Sequence, residues 1–449
     1  MGNRKVFKNG RTIFTLLLAA FFLSACGKFE GLLNSSDLPP LAGERISILQ
    51  SDRELTPAAA LQQTPVVLPE AWTNKFWPQA GGYPNHVMGH LTLGSDLKEV
   101  WSSSVGAGGD RRNPLIAQPV VAEGTVFTLD TEGGVTAFDV MTGKKKWRTS
   151  SVPSNEEDSG ATGGGLAWAL GKIYVTNGYK YLVCINAETG NMLWRTMMTS
   201  PARTAPTVAN EKVYLITLDN RLQVFSSADG SLLWNHSSVA ETTNLLGSAS
   251  PAVDASAVVL ALSSGEILGL RVENGQVVWE DNLSAVRRVG TLSSISDIRG
   301  QPVIDRGIVY AASYSGRMVA IDVISGQRVW QREVGSAEMP WAVGDMVFVL
   351  SAEQQVLALT RAGGDIHWIT SLPRFEEGRK EEPIVWTGPV LAGGRLILAS
   401  NRGMMAEIDP QDGKILKQSE LDGSVMIAPV VADNMLLLLT QQGKLVAYR

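Results

Sequence analysis

Cysteine and histidine are almost missing: the 449 residues include two Cys and four His. There is no C-x-x-C-H haem motif, no vicinal Cys pair, no G-x-S-x-G elbow and no P-loop. The four histidines are His86, His90, His236 and His367. His86 and His90 share an i,i+4 spacing in "HVMGH", but Gly and Pro lie close by. Helical metal ligation is therefore not expected there, and a solvated or structural role is. Charge is sparse as well. Asp, Glu, Lys and Arg make up 18% of the chain, with a formal net charge of −5. That excludes the basic footprint of a nucleic-acid binder and a polybasic membrane patch. The apolar run "TIFTLLLAAFFL" (Thr12–Leu23) is too short for an ordinary membrane span.

That run follows the basic stretch containing Arg4, Lys5, Lys8 and Arg11, and it leads into "LSAC" (Leu23–Cys26). The order of basic, apolar and small-residue segments is that of a secretory leader over residues 1–25. A small residue before Cys resembles the bacterial lipobox, which implies cleavage before Cys26 and acylation of its thiol. An ordinary signal peptide with an incidental Cys is the alternative. Acyl chains would anchor the protein firmly. Gly27 at the next position, by analogy with lipoproteins of Gram-negative cells, implies the outer membrane. Removing the leader leaves 35 Lys and Arg against the chain's 44 Asp and Glu. Acylation of Cys26 leaves Cys184 without an intramolecular partner. It lies in the apolar stretch "YLVCIN" and is expected to be buried and inert.

Residues 26–96 read as the lipidated N-terminus and an extended tether, rich in Pro and small residues, with a short docked piece at Arg45–Leu49. From residue 97 to 449 the chain repeats. "TAFDVMTGKKKW" (136–147), "VCINAETGNMLW" (183–194), "QVFSSADGSLLW" (223–234), "LGLRVENGQVVW" (268–279), "VAIDVISGQRVW" (319–330) and "LALTRAGGDIHW" (357–368) align through a Gly turn to a Trp. In "AEIDPQDGKILK" (406–417), Lys417 stands where Trp belongs. Each is preceded by a second strand–turn–strand pattern such as "QPVVAEGTVFTLD". Every unit of roughly 40–50 residues thus predicts four short strands, A to D. The expected fold is all-β: an eight-bladed β-propeller of four-stranded antiparallel blades. Blade tryptophans are expected at Trp101, Trp147, Trp194, Trp234, Trp279, Trp330 and Trp368, each packing between neighbouring blades. Trp101 in "LKEVWSSSV" has no turn before it. The chain ends at Arg449 after a C strand, so the Trp101 strand is expected to complete the last blade and close the ring.

Antiparallel order places A–B and C–D turns on one face. B–C turns and D–A links share the other. The D–A links are long and unequal, including residues 151–164, 238–247, 284–300 and 372–386. Variable loops on a rigid scaffold are where binding residues gather. Arg287 and Arg288 lie in one of them and are candidates for pairing with an acidic partner; an exposed loop pair is the plainer reading.

The repeat A-x-D-x-x-T/S-G-x-x-x-W resembles the propellers of pyrroloquinoline quinone (PQQ) dehydrogenases, as does "FWPQAGGYPN" (Phe76–Asn85). The lipobox, the tether, the bare blades and "SISDIRGQPVIDRGIVYAASYSGRMVAID" (Ser294–Asp322) are similar to the BamB family over the whole mature chain. That family consists of propeller lipoproteins of the outer-membrane β-barrel assembly (Bam) machinery. The resemblance implies a non-enzymatic scaffold without cofactor or metal, anchored at the periplasmic face of the outer membrane. It further implies binding to the POTRA domains of the barrel subunit BamA, with nascent outer-membrane chains as possible further partners. Leu245 aligns with a family contact residue, and Leu246 stands where some members have Arg. Asp297 matches a family Asp, whereas Arg299 replaces an acid. The other resemblance implies a PQQ-dependent quinoprotein dehydrogenase, which would need Ca²⁺ ligands, a catalytic Asp and a covered cofactor pocket.

Overall fold

Blade 3 shows how one repeat folds. Short apolar runs form strands A (Thr207–Ala209), B (Lys212–Ile216), C (Arg221–Ser226) and D (Leu232–Ser237), hydrogen-bonded in that order and antiparallel. A, B and C are largely buried, while D alternates exposed and half-buried residues. The computed structural model describes residues 55–449 except 62–63, 154–162, 203, 239–248, 285–296 and 377–378. Among them are eight such sheets and one small hairpin in the link before blade 7 (Phe375–Glu376 with Arg379–Pro383). The expected eight-bladed propeller is therefore present. Leader, Cys26 and Arg45–Leu49 lie outside the described residues.

Each C–D turn carries out two tasks. In blade 1, Asp139 Oδ1 accepts from the Thr142 amide (3.0 Å) and hydroxyl (2.8 Å), which holds its carboxyl below the usual range. Gly143 then turns the chain at φ 68°. A Cβ there would sit 2.5 Å from the Trp101 ring, so only Gly lets the rings approach. The same contact recurs around the ring: the tryptophan of one blade covers the turn glycine of the next, as Trp147 does Gly190 and Trp330 does Gly364. Its indole N–H usually donates to a carbonyl of that turn, Trp147 to Ala187 (3.0 Å) and Trp279 to Val323 (2.8 Å). At blades 3 and 4 the corresponding carbonyls, Ser227 and Val272, accept instead from Tyr174 and Lys212. The Trp194 and Trp234 N–H groups are left buried without partners.

Ring closure explains the one exception. Strand Glu99–Ser104 pairs with the C-terminal strand Lys444–Tyr448 and supplies D to blade 8. Lys98 and Arg449 exchange two backbone hydrogen bonds of 3.0 Å at the seam. Blade 8 thus takes C and D from opposite chain ends and has no C–D turn. The strand D of blade 7 faces no turn glycine, so a tryptophan would have nothing to cover, and the exposed Lys417 stands there.

The reading of residues 26–96 as a tether is corrected for the part seen. Residues 55–449 form one compact unit. Residues 74–91 circle the channel as a belt and meet the innermost strand of every blade. Asn74 reaches Val431 of blade 8 (2.7 Å). Trp77 and Val121 of blade 1 exchange two 2.8 Å backbone bonds. Pro78 accepts from Trp168 of blade 2 (2.7 Å), and the Gln79 side chain bonds both backbone groups of Val208 in blade 3 (2.7 and 2.9 Å). Pro84 accepts from Val253 of blade 4 (2.8 Å) and Asn85 from Ile304 of blade 5 (3.0 Å). Gly89 accepts from the Trp341 indole of blade 6 (3.0 Å), and Leu91 pairs with blade 7 beside Leu391. The loop then shuts on itself, Trp72 pairing with residues 90–92. These contacts fall near the ends of the A strands that lead into the A–B turns. The backbone groups of the inner edge would otherwise be unpaired in an apolar channel, a costly state. Upstream, Ala58 donates to Ile366 on strand D of blade 6 (2.8 Å) and His367 donates to the Thr64 carbonyl (2.7 Å).

Candidate functional site: the open mouth of the channel

The belt makes the channel blind. Trp77, Ala80 and Gly81 form its floor, and residues just before or at the start of the A strands form its wall. What remains is a cup of about 160 Å³ that faces the D–A links. Every blade contributes, among them Gln118, Gly164, Thr204, Ser250, Gln301, Glu338, Thr387 and Met426 in chain order. Trp77 and Trp341 stack at 6.3 Å between centroids and stiffen the base. Gln118 fixes the floor: it accepts from Trp77 Nε1 (3.2 Å) and the Gly81 amide (2.8 Å) and donates to Ala428 (3.0 Å).

Two charged side chains line the cup, Arg299 and Glu338. Glu338 Oε2 accepts from the Thr387 hydroxyl (2.7 Å) and the Gly388 amide (3.2 Å). Burial pushes its pKa up, and the nearby Arg299 guanidinium pulls it down. The Thr204 hydroxyl, on a residue only 2% exposed, is buried in the opposite part of the wall without a hydrogen-bond partner.

Of the residues read from the sequence, Leu245, Leu246, Arg287 and Arg288 fall outside the described residues. Asp297 is buried, 1% exposed, and its carbonyl accepts from Tyr314 (3.0 Å). Arg299 sits in the cup wall, so these two neighbours in sequence are not one surface patch. Cup residues such as Glu338 and Thr204 escaped the sequence reading; the one available signal was their shared place just before each A strand. His86 is buried in the belt with Nδ1 donating to Pro302 (2.7 Å), and burial lowers its pKa to about 4. His90 donates to Pro69 (2.8 Å) and accepts from Gly394 (3.0 Å). Cys184 is buried, its thiol pushed up to about 12.

The cup does not suit a PQQ cofactor with Ca²⁺. Its volume lies below the roughly 300–1,000 Å³ of ordinary cofactor sites. Glu338 is the one carboxylate lining it. Among the described residues no group of three His, Cys, Asp or Glu side chains is placed to hold a metal ion.

Comparisons with known proteins agree with this geometry. A family model described as "Outer membrane protein assembly factor BamB" matches residues 93–160, 131–370 and 374–449. The chain is 29% identical over 356 residues to the outer membrane protein assembly factor BamB of Yersinia pestis, covering 78% of this chain and 88% of that protein. The crystal structure of BamB from Moraxella catarrhalis superposes with a TM-score of 0.67 at 21% identity, covering 79% of this chain and 100% of that one. Quinohemoprotein alcohol dehydrogenase from Comamonas testosteroni shares the fold, with a TM-score of 0.64 at 14% identity over 87% of this chain and 83% of its own.

Proposed function

The chain belongs to the family of outer membrane protein assembly factor BamB, and from this we propose that it is a non-enzymatic scaffold lipoprotein of the Bam complex. In this reading, acylated Cys26 anchors it at the periplasmic face of the outer membrane. The D–A links of blades 3 and 4, residues 238–247 and 284–300, dock on the POTRA domains of BamA. One observation carries the reading: the belt closes one end of the channel, and the described ends of the D–A links, among them Thr204, Ser250, Arg299 and Glu338, line the other. A rigid eight-bladed frame then presents loops for binding without a chamber for chemistry. In this reading Leu245, Leu246, Arg287 and Arg288 make the contacts; of the two further partner-binding candidates, Asp297 is buried and Arg299 lies in the cup wall.

Co-purification with the BamA POTRA domains tests this. Leu245→Asp combined with Arg287→Glu and Arg288→Glu is expected to abolish capture while the melting temperature stays unchanged. Undiminished capture would overturn the assignment of these links. Cys26→Ala is expected to release the protein from membranes. Stoichiometric uptake of PQQ and Ca²⁺ with dye-linked alcohol or sugar oxidation would overturn the non-enzymatic reading.

A further inference from the structure

The cup has a size, a lining and an unmet polar demand that fit one kind of guest. We infer that it takes a single cationic side chain, an ammonium or guanidinium on an aliphatic stem, presented by a protein docked on the D–A face. This rests on the reading above that the partner lies on that face.

Size comes first. About 160 Å³ is too little for an ordinary small-molecule ligand, yet many times the roughly 10–15 Å³ of such space that one water needs. One long side chain fills that space. The lining comes second. Trp77, Trp341, Met339, Val390 and Ile427 give the cup an apolar girdle that suits a methylene stem. The polar demand comes third. Two neutral donors, the Thr387 hydroxyl and the Gly388 amide, position the Glu338 carboxylate. Arg299 influences it electrostatically, yet among the described residues the two form no ion pair. Thr204, three blades away around the ring, also lines the cup, and its buried hydroxyl has no hydrogen-bond partner. The chain's excess of 44 acidic over 39 basic residues favours a basic visitor over an acidic one. A buried anchor side chain in a preformed pocket is also how interfaces concentrate their binding energy.

Arg299 makes the inference sharp. It is the competing cation, so removing it must strengthen binding, whereas removing the Glu338 charge must weaken it. The test uses the chain lacking only residues 1–25, labelled with ¹³C at methionine methyls, with Met339 as reporter. The probes are Nα-acetyl-arginine amide, Nα-acetyl-lysine amide and the neutral isostere Nα-acetyl-citrulline amide. Both cations are expected to shift the Met339 methyl saturably, and the citrulline probe to do so at least about tenfold more weakly. Glu338→Gln is expected to erase that preference, and Arg299→Gln to tighten the cationic probes. Should Glu338→Gln fail to fold, the partly exposed Arg299→Gln still decides by its opposite sign. Equal responses to arginine and citrulline probes, no saturable shift, or weaker binding in Arg299→Gln would each overturn the proposal. Because no BamA is present, a negative result here leaves the docking assay untouched, and loss of docking leaves this assay untouched.

Discussion

The two faces of the propeller are built from the same repeats and end up opposite in character. On the face of the A–B and C–D turns, the turns are short and the belt seals the channel. Its backbone groups are paired to the A strands and its core side chains are buried, Trp77 at 1% exposure and Leu91 at 0%. On the other face the links differ in length from blade to blade, and Met426 at the rim of the cup is 41% exposed. The lesson is a division of labour. Uniform repeats make one face a foundation, and variation is confined to the other.

Four measurements break or sharpen that contrast. Deleting residues from Lys444 onward removes the strand that pairs with Glu99–Ser104 and opens the ring. Loss of the cooperative thermal transition is expected, and a native melt would refute closure through this seam. Next in size, Trp77→Ala on the sealed face should cost about 3–5 kcal/mol in urea unfolding, because it leaves a large void in the belt. Met426→Ala on the open face should cost under about 0.5 kcal/mol. Similar losses for both would erase the contrast.

Acid probes the belt from within. His86 is held neutral by burial, with its pKa lowered to about 4 against 6.5 in the open chain. Below pH 6.5 the unfolded state binds the extra proton and the fold does not, so stability falls as pH drops. The stabilisation is complete above pH 6.5, and about 3 kcal/mol is lost by pH 4. His86→Asn, which tolerates the φ of 63° at this position, should flatten the decline in urea midpoint between pH 7 and pH 4. Parallel curves for both proteins would refute this. The smallest effect is expected at the seam between blades 7 and 8. Lys417→Trp should change stability by less than about 0.5 kcal/mol, since no glycine turn faces it. A gain of more than about 1 kcal/mol would show that the indole finds another seat.

The blades were legible because their causes are local and repeated. A glycine at positive φ, an aspartate that holds the turn and a tryptophan four residues on recur in one order, and the seam followed from an unpaired Trp101. The belt was not legible, because its causes lie elsewhere. Asn74, Trp77, Gln79, Pro84, Asn85, Gly89 and Leu91 each answer a different blade, so their own sequence shows no period. The cluster of Trp72, Phe76 and Trp77, unusual for a solvated linker, was the available hint. The cup escaped for the same reason: Thr204, Arg299 and Glu338 are far apart in sequence and meet only because a ring brings eight strand starts together.

The belt also acts as a gauge. A propeller can change its number of blades by duplicating or losing a unit, and each blade alone is indifferent to the count. A strip of fixed length that must touch every blade once and then meet its own beginning, as Trp72 meets residues 90–92, is not. With seven blades it would buckle, and with nine one inner edge would go bare. The segment that first looked like slack between an anchor and a domain measures the circumference of the ring.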